Sequence, residues 1–417
     1  MPSPNECRVL IVNQHGDNRG DEAALDAMLH GIETRFPNAE FTVIHQFQDD
    51  TSAREMRPEA QWISLRLSPL EGARLVIYLA FRVLGLRPRF LLGSIGKETI
   101  RAYERADIVI SAPGGPYFGD LYINHEPVHW LYVWMGALHR TPCFLYATSA
   151  GPFKKKWANP FRRFTYRRFE TIFVREEISA SYIRGLFGDR KRNVDVCVSV
   201  DSALQVAVSA GTRDTQRNLI VVSAINWHYN GAANVAERRD IYDQSIAEAI
   251  NVLARDLPSD VIFVPQLHGT QHRDTPYLSH LAEVTKKCVA PKDVTVTVLD
   301  ESTNMRTQRS LFASADWVIA GRYHPAVFAL SAGVPQICIA YEHKALGLLT
   351  LAGLDDVVLD IQEVTAETLL TKAHHLISHH EDISLRSRNA ASSLMKMSES
   401  TSLSVAEILE KASRDQK

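Results

Sequence analysis

Short apolar runs alternate with longer amphipathic stretches along nearly the whole chain. The runs fall at residues 9–12, 41–44, 108–111, 144–147, 171–174, 219–223, 261–264, 317–320 and 336–340. A short run that is apolar at every position is buried on both faces, as strands of a parallel sheet are, and the stretches between such runs supply the crossover helices. The pattern therefore predicts an α/β protein. After about residue 366 the spacing becomes helical, through Leu369, Leu370, Ala373, Leu376 and Ile377, and again through Leu403, Val405, Ile408 and Leu409. These are expected to be C-terminal helices that close the last sheet.

The polar stretch 208–218 breaks the alternation near the midpoint, and a new strand-like run follows at once. With 417 residues, the chain exceeds the roughly 250–300 residues that one core supports. Two domains follow, 1–210 and 211–417. Both halves contain a similar phrase, Ala106-Asp-Ile-Val-Ile-Ser-Ala112 and Ala315-Asp-Trp-Val-Ile-Ala-Gly321, each reading as a helix end, a buried strand and a small-residue turn. The expected fold class is α/β, with two Rossmann-like domains facing a cleft.

Composition narrows the function. Lys plus Arg (46) nearly balance Asp plus Glu (48), so no whole-chain field favours nucleic acid, and any anion site must be local. The five cysteines are scattered without CxxC spacing, which speaks against zinc and against a disulfide framework and favours a reducing compartment. No secretory leader is visible before residue 9. The apolar stretch 75–81 is cut by Arg82 and is too short to span a bilayer. A cytoplasmic protein is expected. The segment 154–168, Lys-Lys-Lys-Trp-Ala-Asn-Pro-Phe-Arg-Arg-Phe-Thr-Tyr-Arg-Arg, interleaves cations with aromatics. It reads either as a solvated helix face or as a peripheral contact with the inner membrane surface, with 75–81 as a second contact.

The richest segment for chemistry is 317–335. It reads strand, turn, helix, stop, with Pro325 at the first helical position, Gly333 at the left-handed position after the helix and Pro335 beyond it. A helix start at the carboxyl end of a parallel strand is where anions bind in such folds. Arg322 and His324 flank that start and suit a phosphate or carboxylate, the alternative being a surface ion pair for Arg322 and a cap for His324. The next strand ends near Lys344, a third candidate. In the first half, Gly114 and Gly115 permit close approach of backbone to ligand, or form a plain turn. Asn18 and Asp21, in the loop after the first strand, suit neutral sugar hydroxyls, the alternative being a helix cap at Asp21. Arg175 either assists the anion site or pairs with a nearby acid such as Glu176.

Taken together, Asn18-Arg-Gly-Asp-Glu-Ala-Ala-Leu25, the Gly114-Gly115 turn with Asp120, Gly151-Pro152, Val174-Arg175, Asp201, Arg322-Tyr-His324, Gly333-Val-Pro335, Tyr341 and Lys344 resemble, in order and over most of the chain, the polysaccharide pyruvyltransferase family. The match departs at Pro116, where a third glycine is common, and at 70–96, which looks inserted. The resemblance implies a GT-B-like pair of domains and phosphoenolpyruvate as co-substrate. It also implies a sugar or glycan acceptor, on occasion lipid-linked, and neither metal nor resident cofactor. It further implies His324 as general acid, with Arg322 and Lys344 on the donor in the second domain and Arg175 assisting from the first, and Gly114, Gly115, Asn18 and Asp21 toward the acceptor in the first. A GT-B glycosyltransferase using a nucleotide sugar is the competing expectation.

Overall fold

A computed structural model describes residues 7–45, 55–64, 68–188, 194–211, 216–229, 233–269, 272–289 and 293–415. The chain forms two compact units. The first comprises Met1–Gly16, Ala24–Ser202 and Met397–Lys417, and the second Asp17–Ala23 and Ala203–Lys396.

The first unit is built on a parallel sheet. Its strands are β1 (Arg8–Gln14), β2 (Glu40–His45), β3 (Gln61–Ser64), β4 (Ile108–Ser111), β5 (Gly114–Phe118), β6 (Cys143–Ala150), β7 (Phe169–Val174) and β8 (Val196–Val198), ordered β3-β2-β1-β4-β6-β7-β8 with β5 beside β6. The chain leaves β1 toward one edge and returns through β4 toward the other, making a switch point at the carboxyl ends of β1 and β4. Helices α1 (Arg19–Arg35), α2 (Pro69–Val83), α3 (Ser94–Arg105), α4 (Glu126–Leu138), α5 (Asn159–Tyr166) and α6 (Glu177–Phe187) supply the crossovers. Residues of α2 to α6 share one core with Leu10, Val109, Leu145 and Ile172, while α1 beyond its first turn shares the other with Ile11, Ile110 and Phe144.

In the second unit β9 (Asn218–Ser223), β10 (Ser259–Phe263), β11 (Val294–Val298), β12 (Trp317–Ala320), β13 (Gln336–Ala340) and β14 (Val358–Asp360) form a parallel sheet ordered β11-β10-β9-β12-β13-β14. This is the Rossmann order, with the switch point between β9 and β12. Helices α7 (Val235–Leu253), α8 (Thr275–Cys288), α9 (Met305–Ala313), α10 (Tyr323–Ala332), α11 (His343–Leu351) and α12 (Ala366–Ser378) complete it.

The division departs from the expected halves at 210 and 211 in three ways. The main crossing lies between Ser202 and Ala203, and the short segment 17–23 clusters with the second unit. The last helix, α13 (His380–Asp415), does not close the second unit alone, since its part from Met397 onward belongs to the first. At 36 residues it extends about 54 Å. Its later turns bury Val405 and Ala406 in the first unit's core and place Ser402 Oγ 2.5 Å from Tyr146 Oη.

Candidate functional site

In the second unit β12 runs into α10 at the switch point, and Arg322 is the extended N-cap residue. The helix therefore starts at Tyr323, earlier than the expected start after His324, and Pro325 occupies its third position. That position still needs no intrahelical N–H partner, so the proline is tolerated there as it is at the first. Gly333 ends the helix in the left-handed conformation, φ 71°, as expected. His324 thus sits inside the first turn, where helical N–H groups are unpaired and carry partial positive charge.

Arg322 Nη2 donates to Asp274 Oδ1, while the other carboxylate oxygen of Asp274 accepts the backbone N–H groups of Gln266 and Leu267, each at 3.0 Å. The partner is therefore a buried acid tied to the backbone, not a surface one. Burial works against the charge of Arg322, but Asp274 and then Tyr341 more than offset it, so its pKa lies above the ordinary value. Among the described residues only Nη2 of this guanidinium has a hydrogen-bond acceptor. Donors remain for an anion.

Strands β12 and β13 are adjacent and parallel, which brings Lys344 at the start of α11 to the same rim. Its Nζ lies 5.5 Å from the Tyr323 ring centre and 5.8 Å from that of Tyr341, and 2.8 Å from Glu342 Oε2. Two cations and two carboxylates thus line this rim. The helix start and the open Arg322 donors are the features of this rim that suit an anion.

The loop after β1 supplies the other wall within the second unit. Asn18 Oδ1 accepts the Gly20 N–H at 2.9 Å, so Asn18 and not Asp21 caps α1. Asp21 is buried in the helix's first turn. Backbone bonds Arg19 N to Gln266 O and His268 N to Asp17 O, both 3.0 Å, fasten the loop beyond β10. Glu22 is 2.9 Å from Arg19 Nη1, which offsets its charge, and 3.0 Å from His268 Nε2.

Gly20 lies directly against His324. A Cβ at position 20 would stand 1.8 Å from His324 Nδ1 and 2.0 Å from its Cγ, so only glycine lets the imidazole occupy this place. The structure joins Asn18, Gly20 and Asp21 to the unit holding Arg322, His324 and Lys344, which corrects their expected place in the first domain.

The remaining candidates lie in the first unit. Gly114 and Gly115 open β5 and not a free turn, and Gly114 is approached by the chain's own Tyr117, whose hydroxyl would lie 2.4 Å from an added Cβ. Arg175 is buried, 2.6 Å from Asp201, 2.8 Å from Ser149 Oγ and 3.8 Å from Glu176 Oε2, which is the ion-pair alternative. Asp120 accepts from the backbone N–H groups of Lys154 and Lys155 and from Arg162.

Sequence reasoning missed a polar chain at the first unit's switch point. Asn13 Nδ2 donates to Ser111 Oγ at 2.9 Å, so its Oδ1 accepts from His129 Nδ1 at 2.9 Å, and His129 Nε2 lies 3.2 Å from His15 Nε2. Tyr117 stacks on His15 at 4.0 Å. Burial, then the charge of His125, pushes His15 down to about 4, and burial, then His15, holds His129 well below the ordinary histidine value. Both are neutral at neutral pH. An unfolded chain takes up protons near pH 6.5 that these folded rings refuse, so their contribution to stability is full above that pH and falls as pH drops toward 4. Urea unfolding of His129→Gln should show a flatter loss of stability between about pH 6.5 and 4.5 than the parent; identical slopes would remove these rings from the account. Asn13, His15 and Ser111 sit at strand ends and were legible as such, but His129 lies within α4 and gave no signal. Likewise His268 and Asp274, just past β10, carried only their place after a buried strand.

Two solved structures share the fold. UDP-GlcNAc 2-epimerase from Neisseria meningitidis, bound to UDP-GlcNAc, is 11% identical with a TM-score of 0.55, covering 94% of this chain and 99% of its own. MurG from Acinetobacter baumannii is 11% identical with a TM-score of 0.52, covering 97% and 99%. The fold is thus of the GT-B class, two parallel-sheet α/β domains. Within that class the chain belongs to the polysaccharide pyruvyl transferase family, whose model matches residues 18–343, and it is a transferase. It is similar to the amylovoran biosynthesis protein AmsJ of Erwinia amylovora, 22% identical over 396 residues, 90% of this chain and 93% of the relative.

Proposed function

We propose that the enzyme transfers the pyruvyl group of phosphoenolpyruvate to a hexose of a glycan or a glycan precursor, forming a pyruvate ketal and releasing phosphate. The carrying observation is the start of α10, where the Arg322 guanidinium keeps open donors and the His324 imidazole is held against Gly20. The enol phosphate of phosphoenolpyruvate becomes electrophilic at C2 only when its methylene carbon is protonated, so a general acid is required. His324 delivers that proton. Arg322 and Lys344 hold carboxylate and phosphate, and the first turn of α10 stabilises the departing phosphate. One acceptor hydroxyl adds to C2, the C–O bond to phosphate breaks, and a second hydroxyl closes the ketal. Of the two hydroxyl protons, one replaces the proton given to the methyl carbon and the other leaves with phosphate.

The same fold serves nucleotide-sugar enzymes, so donor identity is the deciding measurement. Phosphoenolpyruvate is expected to raise the melting temperature, by about 2.7 kcal/mol of linkage at a hundredfold excess over its dissociation constant, while UDP- and GDP-sugars leave it unchanged. With a panel of hexose acceptors, phosphate release and a matching mass gain on the sugar complete the test. Stabilisation by a nucleotide sugar alone would replace pyruvyl transfer with glycosyl transfer.

A further inference from the structure

Helix α2 is apolar on both sides. Its inner side buries Leu75, Tyr78 and Leu79 in the first unit's core, as a helix lying on a sheet must. Its outer side presents Leu70, Ala73, Ile77, Ala80 and Leu84 to solvent at helical spacing, where a helix bathed in water carries polar residues. The one acid of this helix, Glu71, is engaged by the N-cap Ser68. The following loop adds Leu86 and Phe90, the latter 83% exposed.

The apolar surface does not end at α2. Helix α4 packs between α2 and α5, and its Trp130 and Trp134 meet Phe161 and Phe164 of α5, each pair at 5.4 Å. Phe161, Phe164 and the preceding Trp157 are exposed. Around this layer cations predominate. From 154 to 169 the chain has seven cations and no acid; Arg162 is buried on Glu126, and the other six are at least partly exposed. Arg74, Arg82 and Arg87 add to them from α2 and its loop.

We infer that the face formed by α2, α4 and α5 docks on an anionic lipid bilayer, with α2 lying in the plane of the interface. At 15 residues α2 is about 22 Å long, short of the roughly 30 Å hydrocarbon core, and no described helix is long and apolar enough to cross a membrane. Partial insertion buries the outward stripe, Trp157 takes the headgroup depth that indoles favour, and the lysines and arginines meet lipid phosphates. Charge complementarity selects lipid over a second copy of the chain. A symmetric contact through this face would set the cation-rich segments 154–168 against each other.

The test is sedimentation of the full chain with vesicles of phosphatidylcholine alone and of phosphatidylcholine mixed with phosphatidylglycerol. Binding is expected to the mixed vesicles at low salt, to weaken as salt rises, and to be lacking with phosphatidylcholine alone. Ile77→Asp, and separately the triple change Lys154→Glu, Lys155→Glu and Lys156→Glu, are expected to lower the bound-to-free ratio about tenfold or more. All four positions are exposed, so the melting temperature stays unchanged. The inference is overturned if the chain stays in the supernatant with anionic vesicles at low salt, or if neither variant alters binding. Sedimentation velocity showing a dimer that Ile77→Asp dissociates, without vesicle binding, would assign the face to a second copy and overturn it equally.

Discussion

Replacing His324 with alanine is expected to slow pyruvyl transfer by about two to four orders of magnitude, the usual worth of a general acid, while phosphoenolpyruvate still raises the melting temperature. On the proposed reading the imidazole acts on the methylene carbon and the anion is held by Arg322, Lys344 and the helix start, so chemistry and donor binding separate. Turnover within a few-fold of the parent would remove His324 from the mechanism. A companion change makes the geometry itself testable. Gly20→Ala keeps the imidazole but places a methyl 1.8 Å from its present Nδ1 position, so either the ring or the first turn of α1 must move by more than about an ångström. Misplacement on that scale lowers rate by about a hundredfold. Gly20→Ala should therefore fall between the parent and His324→Ala, through kcat more than KM. An unchanged kcat would mean that the contact positions nothing.

The second large effect concerns stability. Arg162 and Glu126 have wholly buried side chains, joined by three bonds of 2.7, 2.9 and 3.2 Å, with Asp120 accepting from Nη2 and Asn159 from Nη1. They tie the first turn of α4 to α5. Glu126→Ala leaves the guanidinium buried beside Asp120 alone among carboxylates, and removing one partner of such a pair costs about 3–5 kcal/mol. Urea unfolding of the first unit should register that loss. The double change Arg162→Met with Glu126→Leu should recover most of it, since an apolar pair of similar volume needs no desolvation of charge. A single change costing under about 1 kcal/mol would show that Asp120 and Asn159 suffice to hold the arginine.

Much of the architecture is written in local pattern. The strands that were legible are those buried on both faces, β1, β4, β6, β9, β12 and β13 among them, because burial demands an unbroken apolar run. Those that were not are edge or irregular strands. β11, Val-Thr-Val-Thr-Val, is half-exposed with alternating burial, and β5 carries two glycines and a proline and is a strand only because β6 pairs with it.

The site divides in the same way. A helix start flanked by Arg322 and His324 needed only residues within one strand, turn and helix, and the sequence by itself determined it. Lys344 shares its rim only because β12 and β13 pair side by side, a condition that the sequence left open. The tertiary structure alone decided that Asn18 to Glu22 join the second unit, that Gly20 abuts His324, and that Asp274 takes Arg322. These contacts join positions separated by up to some three hundred residues, and no local periodicity carries information about which distant backbone will approach a glycine closely enough to require it. Arg175 is the converse case. Its sequence neighbourhood fitted an anion site, and only the fold, by placing Asp201 at 2.6 Å with both side chains buried, decided that its charge is met from within.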